Sequence, residues 1–276
     1  MNKNIYSLTF ALFILLSLNS FSQSKVNISL GGTYGSGIFK NSVETFINTK
    51  QEENKYFNEN KKFSLGGGLG IYASTIYSIG ENFGIGMGIH HHFNNEIEFI
   101  EVNSVSGIIA ENTRTLSASR FSILPMVELK TNNKIINAFI QMGVSFNFTN
   151  QKLKESIAVN TSVTEYYWNY KGKSKLGFFT NLGLSYHLNS KLSLAIGLII
   201  ESYQYSPTSN TLERLTIDGD HVSIANLPEI EKSVEFVDWV ADQYSQYPDP
   251  NKPLQSPKQS FIYNNASLFL GLSYRF

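Results

Sequence analysis

The chain has 276 residues, 22 basic and 22 acidic side chains, 20 Phe, 15 Tyr and no cysteine. The balanced charge lacks the basic footprint that nucleic acid demands, so no nucleic acid is expected as a partner. Absence of cysteine excludes disulfides and thiolate metal sites, and the length allows one large all-β domain or two smaller ones.

Residues 1–22 read as a cleaved signal peptide: Lys3, an apolar run from Leu8 to Leu18, and small residues Ser20 and Ser22 before Gln23. That run is shorter than the ~20 residues a spanning helix needs. In residues 23–276 the dominant pattern is alternation with period two, the mark of strands with two unlike faces. Val26, Ile28, Leu30 and Tyr34 begin it. Phe63, Leu65, Leu69 and Ile71 follow, then Phe83, Ile85, Met87 and Ile89 against a row of glycines. The fourth strand, Leu116 to Lys130, is the least regular and contains Pro125, where a lost ladder bond predicts a bulge. Ile136 to Phe148, Phe178 to Leu188, Leu192 to Ile200 and Ala266 to Phe276 complete eight strands.

The connections alternate long and short. The long ones cover about 36–62, 94–114, 149–175 and 206–260, and the short ones are turns of a few residues. In the last, Asn226, Pro228 and Glu229 resemble a helix start. Leu227, Ile230, Val234, Val237, Ala241 and Tyr244 recur at spacings of three and four. The spacing predicts a helix of about four turns, its apolar surface broadened by Phe236, Trp239 and Val240. Seven of the eight strands carry no Asp, Glu, Lys or Arg over their central stretches. A soluble barrel would show charge on its outer face; a charge facing lipid costs about 2–4 kcal/mol at the midplane. The expected fold is therefore an eight-stranded antiparallel up-and-down transmembrane β-barrel, closed so that every backbone group is paired, with a short helix in the last external loop.

The few charges in or beside strands, Arg120, Glu128, Lys130, Glu201 and Arg275, are expected to form a lumenal polar network, since buried charges require partners. Phe139, Phe179, Ile199 and Phe269 face the glycine-rich strands and either fill the lumen or leave a small cavity. His90 and His92 share a face near the loop end, about 6.8 Å apart, and are weak candidates for a metal. The ligand count of a known site is missing, so neither a metal nor any other cofactor is expected. No nucleophile motif is present; Ser117 or Ser119 with these histidines is the one arrangement from which an enzyme could be built, and none is expected.

On Leu268, Leu270, Leu272, Tyr274 and Phe276, the last strand resembles the terminal assembly signal of bacterial outer-membrane barrels. Phe121 to Lys130, with Pro125, is similar to a proline-containing strand of the porin-family and OmpA-transmembrane-domain-like proteins of Bacteroidota. The resemblance implies a location in the outer membrane with both termini in the periplasm. It implies as partners the barrel-assembly machinery, outer-membrane lipid and lipopolysaccharide, and an external protein or glycan. The function it implies is a structural or surface-interaction role carried by the external loops. The alternatives are a narrow channel for small solutes and a lipid-modifying enzyme at the rim.

Overall fold

The computed structural model describes residues 25–38, 40–52, 55–105, 108–173, 175–240 and 248–276. The expected leader, residues 1–22, lies outside the described residues.

Eighteen strands follow in chain order: β1 (Val26–Gly37), β2 (Asn41–Glu52), β3 (Lys55–Phe63), β4 (Gly68–Ser78), β5 (Phe83–Asn94), β6 (Ile97–Val105), β7 (Ile108–Lys130), β8 (Ile136–Val159), β9 (Ser162–Gly172), β10 (Leu176–His187), β11 (Leu192–Ser202), β12 (Gln204–Tyr205), β13 (Pro207–Ile217), β14 (Asp220–Val222), β15 (Ser233–Val237), β16 (Leu254–Pro257), β17 (Phe261–Ile262) and β18 (Asn265–Arg275). Eight of them close a ring, β1-β4-β5-β7-β8-β10-β11-β18 and back to β1, every pair antiparallel. These are the eight strands the alternation predicts, except that the second begins at Gly68, so Phe63 and Leu65, expected in its outward row, lie before it and are buried. Closure leaves no sheet edge within the ring. Along the wall, Leu30, Ile71, Met87, Phe146, Phe178, Ile196 and Leu270 point outward and stand exposed, while their neighbours in sequence point inward.

The long connections contain far more strand than their polar composition suggests. β7 and β8 run to 23 and 24 residues, about twice what a tilted strand needs to cross a bilayer. Beyond the ring they continue as the centre of a second sheet, ordered β16-β15-β13-β9-β8-β7-β6. β2 and β3 form a separate hairpin within the first long connection.

Two expectations are corrected. The last connection does contain a short helix, but it is a single turn, Glu229–Lys232, after a three-residue turn of tighter helix at Ile224–Asn226. Ser233–Val237 is strand, paired with β13 on one side and β16 on the other. Val234 and Phe236 also satisfy a period of two, and ladder bonds plus burial of Phe236 outweigh the helical spacing. Residues 241–244 of the expected helix lie outside the described residues. The bulge expected at Pro125 does not form. Ile123 opposes Phe146 and Met126 opposes Gly143 in one unbroken register, with the intervening pairs missing from the ladder. Gly143 makes this possible: a Cβ there would collide with the Pro125 carbonyl, so its absence lets the strands close without an inserted residue.

Candidate functional site

The interior divides into layers. At the short-turn end lies a polar cluster. Gln141 donates through Nε2 to Glu128 (2.8 Å) and accepts from the Tyr72 hydroxyl and from Asn181 Nδ2, both at 3.0 Å. Lys130 Nζ stands 3.5 Å from Glu128 and donates to Ser78 at 3.0 Å. Arg275 lines the same cavity, which has a volume of about 30 Å³, enough for ordered water and little else. Arg275 forms no ion pair among the described residues.

Above it, Tyr72, Ile76, Leu124, Met126, Phe179, Ala195, Ile199 and Phe269 close the lumen, with Phe139 packed against them. Tyr72 stacks on Phe179 at 5.9 Å and meets Phe269 edge-on at 5.3 Å. The rings fill the space the glycines leave. A Cβ on Gly31 or on Gly271 would lie 2.6 Å from the Phe269 ring.

The next layer holds the most deeply buried charges. Arg120 Nη2 donates to Glu201 Oε2, with both side chains at most 1% exposed. The same oxygen lies 3.0 Å from His90 Nδ1, and His90 Nε2 lies 3.0 Å from the Thr33 hydroxyl. Nδ1–H donates to the Glu201 carboxylate, which can only accept, while the Thr33 hydroxyl can either donate to Nε2 or accept from it. His92, fully buried, sets its ring edge-on to His90 at 5.5 Å. The Arg120 guanidinium lies 5.3 Å from the centre of the Tyr203 ring. The five charges singled out by sequence thus fall into two groups: Arg120 with Glu201, and Glu128, Lys130 and Arg275 around the small cavity. His90 and Thr33 complete the upper group. The alternation could have found them, because each lies on the inward face of its strand.

Rings from all the long connections or their flanks cap the lumen: Phe63, Phe99, Tyr170, Tyr203, Tyr205, Phe236, Phe261 and Tyr263, with Leu65, Leu116 and Leu153. Tyr203 and Tyr263 stack at 4.9 Å, and Tyr263 donates to Gln151 at 2.8 Å. Desolvation raises the phenols of Tyr170 and Tyr263 and pushes Tyr205 up to about 12, so the cap carries no phenolate charge at neutral pH.

His90 and His92 are inside the wall, while Ser117 and Ser119 share the outward face of β7 with Phe121. Ser117 and Ser119 therefore do not meet His90 or His92. Both His90 nitrogens are engaged, and among the described residues no group of three or more His, Asp or Glu has metal-holding geometry. Leu268, Leu270, Leu272, Tyr274 and Phe276 are all exposed on the outer surface. Phe236, expected on a helix surface, is instead buried and stacks on Tyr170 at 6.0 Å; Trp239 is exposed and Val240 half-buried.

No family model and no curated protein matches the chain. Solved structures do. OprG from Pseudomonas aeruginosa has a TM-score of 0.45 at 9% identity, covering 92% of this chain and 96% of that one. Neisserial surface protein A has 0.33 at 10%, covering 91% and 96%. Ail from Yersinia pestis has 0.32 at 10%, covering 92% and 99%. At these scores the likeness transfers no residue and no activity; the eight-stranded barrel rests on the ring of paired strands itself.

Proposed function

We propose that this chain is an outer-membrane barrel that acts at its surface, through the sheet and cap at its loop end. The observation that carries this reading is the extension of β7 and β8 into a seven-stranded sheet standing clear of the exposed apolar belt. Strand continuity makes this platform stiff, and rigid elements present a binding surface more precisely than loops do. The belt supports the lipid-facing assignment, since the outward residues from Leu30 round to Leu270 are large and apolar. The three short turns and both chain ends then lie on the periplasmic side. Assembly machinery would read the last strand, and an external protein or glycan would meet the platform.

A solute channel finds less support. The lumen holds about 30 Å³ of space at one end, closed above by the Tyr72, Phe179 and Phe269 rings. The barrel reconstituted into planar bilayers should insert without conductance steps, and steady unitary steps would replace the surface reading with a pore. Cells carrying the protein should attach to immobilised glycans or matrix proteins more than cells lacking it. Equal attachment across such arrays would sink the surface role.

A further inference from the structure

The geometry points to a self-association surface on the lipid-facing wall: a dent that takes the protruding Phe178 of a second copy of this chain. The inference rests on the membrane reading and adds a partner to it.

The dent lies at the one interruption of the β7–β8 ladder within the ring. Between the pairs Ile123–Phe146 and Met126–Gly143 the rungs are missing, and Pro125 has no N–H to offer there. At this level the outer surface sinks into a concavity of about 720 Å³, lined by Pro125, Val127, Met142, Val144, Phe178 and Thr180. Met126 and Phe179, whose side chains point into the lumen, line it too, so the dent reaches down to the backbone of the wall. Phe178 stands on its rim, one strand over and directly opposite Val144. At 75% exposed it is the most exposed large apolar side chain of the ring strands. A knob thus stands beside a hole.

Two features choose a second copy over an acyl chain as the occupant. The first is shape. A knob on the rim of a hole is self-complementary under a two-fold axis along the membrane normal, with each Phe178 entering the other barrel's dent, and two-fold dimers are built from such self-complementary patches. A lipid tail would fill the dent and leave Phe178 standing free. The second is Thr180. It lies mid-strand in the outward row of β10, between Phe178 and Leu182, and is half-buried in the dent. Its hydroxyl makes no side-chain hydrogen bond among the described residues. A hydroxyl facing hydrocarbon without a partner is costly, and a tail carries neither donor nor acceptor. The Thr180 of a second copy carries both. Close packing and hydroxyl pairs of this kind hold membrane-spanning elements together where no hydrophobic drive acts between them. Thr75, outward on β4, is three residues from the strand end at Ser78, within reach of interfacial water.

The chain has no cysteine, so single-cysteine variants read the contact directly. Thr180→Cys is compared with Ile71→Cys on the far side of the ring; each position is seven residues from the short-turn end of its strand, so the two stand at matching heights. Under copper-phenanthroline oxidation in isolated membranes, Thr180→Cys should give the disulfide-linked dimer at least tenfold faster than Ile71→Cys. Equal rates overturn the surface. Energy transfer between donor- and acceptor-labelled wild-type barrels in liposomes should report dimers. Val144→Trp, which fills the dent, and Phe178→Ala, which removes the knob, should each need at least tenfold higher protein density to reach the same transfer. Wild-type barrels that stay monomeric at every density overturn the partner and leave the dent to an acyl chain, and unchanged association of both variants overturns the dent as the contact. Each variant is first checked for insertion into liposomes: a wild-type barrel that does not insert sinks the membrane reading itself, whereas insertion without association sinks the interface alone.

Discussion

At the residue scale, the least forgiving positions are the buried charges. Arg120 and Glu201 are both almost wholly inaccessible, and removing one member of such a pair strands the other in a poorly polarisable interior. Arg120→Ala or Glu201→Gln should each lower barrel stability by about 3–5 kcal/mol, measured by urea unfolding in lipid vesicles. The double variant should lose clearly less than the sum, because neither charge is then left alone. A second test lies at Gly271, where an added Cβ would meet the Phe269 ring at 2.6 Å and the Leu30 carbonyl at 2.5 Å. Backbone atoms cannot swing aside, so Gly271→Ala should cost about 1–3 kcal/mol in the same assay. The inward positions of all these residues are legible in the alternation. A network among the charges is expected from them, but which members pair is not legible, because Arg120 and Glu201 are 81 residues apart and meet across the lumen.

At the scale of elements, the long strands β7 and β8 are braced at their outer ends by charge. Lys154 donates to Glu165 at 2.6 Å, and Thr216 and Tyr167 also donate to that carboxylate, each at 3.1 Å. The bond from Lys154 holds the Glu165 carboxyl below its usual range, and the same bond raises Lys154. A lowered carboxyl stabilises the folded sheet fully above the unfolded value of about 4.3, and that contribution is lost as pH falls through the lower folded value. A raised lysine contributes fully below about 10.4 and loses its contribution as pH rises through its higher folded value. Protection of β9 amides from hydrogen exchange should therefore be level from about pH 5 to 9 and fall below about pH 4. Glu165→Gln should remove the acid limb; an unchanged fall would assign it to other carboxylates. The sequence reads as loop here because charged and polar residues alternate on a sheet wetted on its outer face, and such alternation lacks the apolar contrast that identifies barrel strands.

At the scale of the whole molecule, closure and capping set what the protein can do. The interior alternates polar and apolar layers, and the cap draws rings from residues as far apart as Phe63 and Tyr263. A silent barrel in planar bilayers belongs to this scale, since no single side chain blocks the lumen. Eight strands, the faces of their central stretches and their up-and-down order were determined by the sequence alone, because period-two alternation and connection length are local properties; at the strand ends Val26, Phe63 and Leu65, which the alternation turns outward, are buried. The sheet beyond the barrel, the strand in place of the expected helix at Ser233–Val237, and the unbulged Pro125 were decided only by tertiary structure. Each depends on what stands across a ladder, Tyr170 beside Phe236 and Gly143 beside Pro125, and the periodicity of one strand carries no information about the residue that faces it on another.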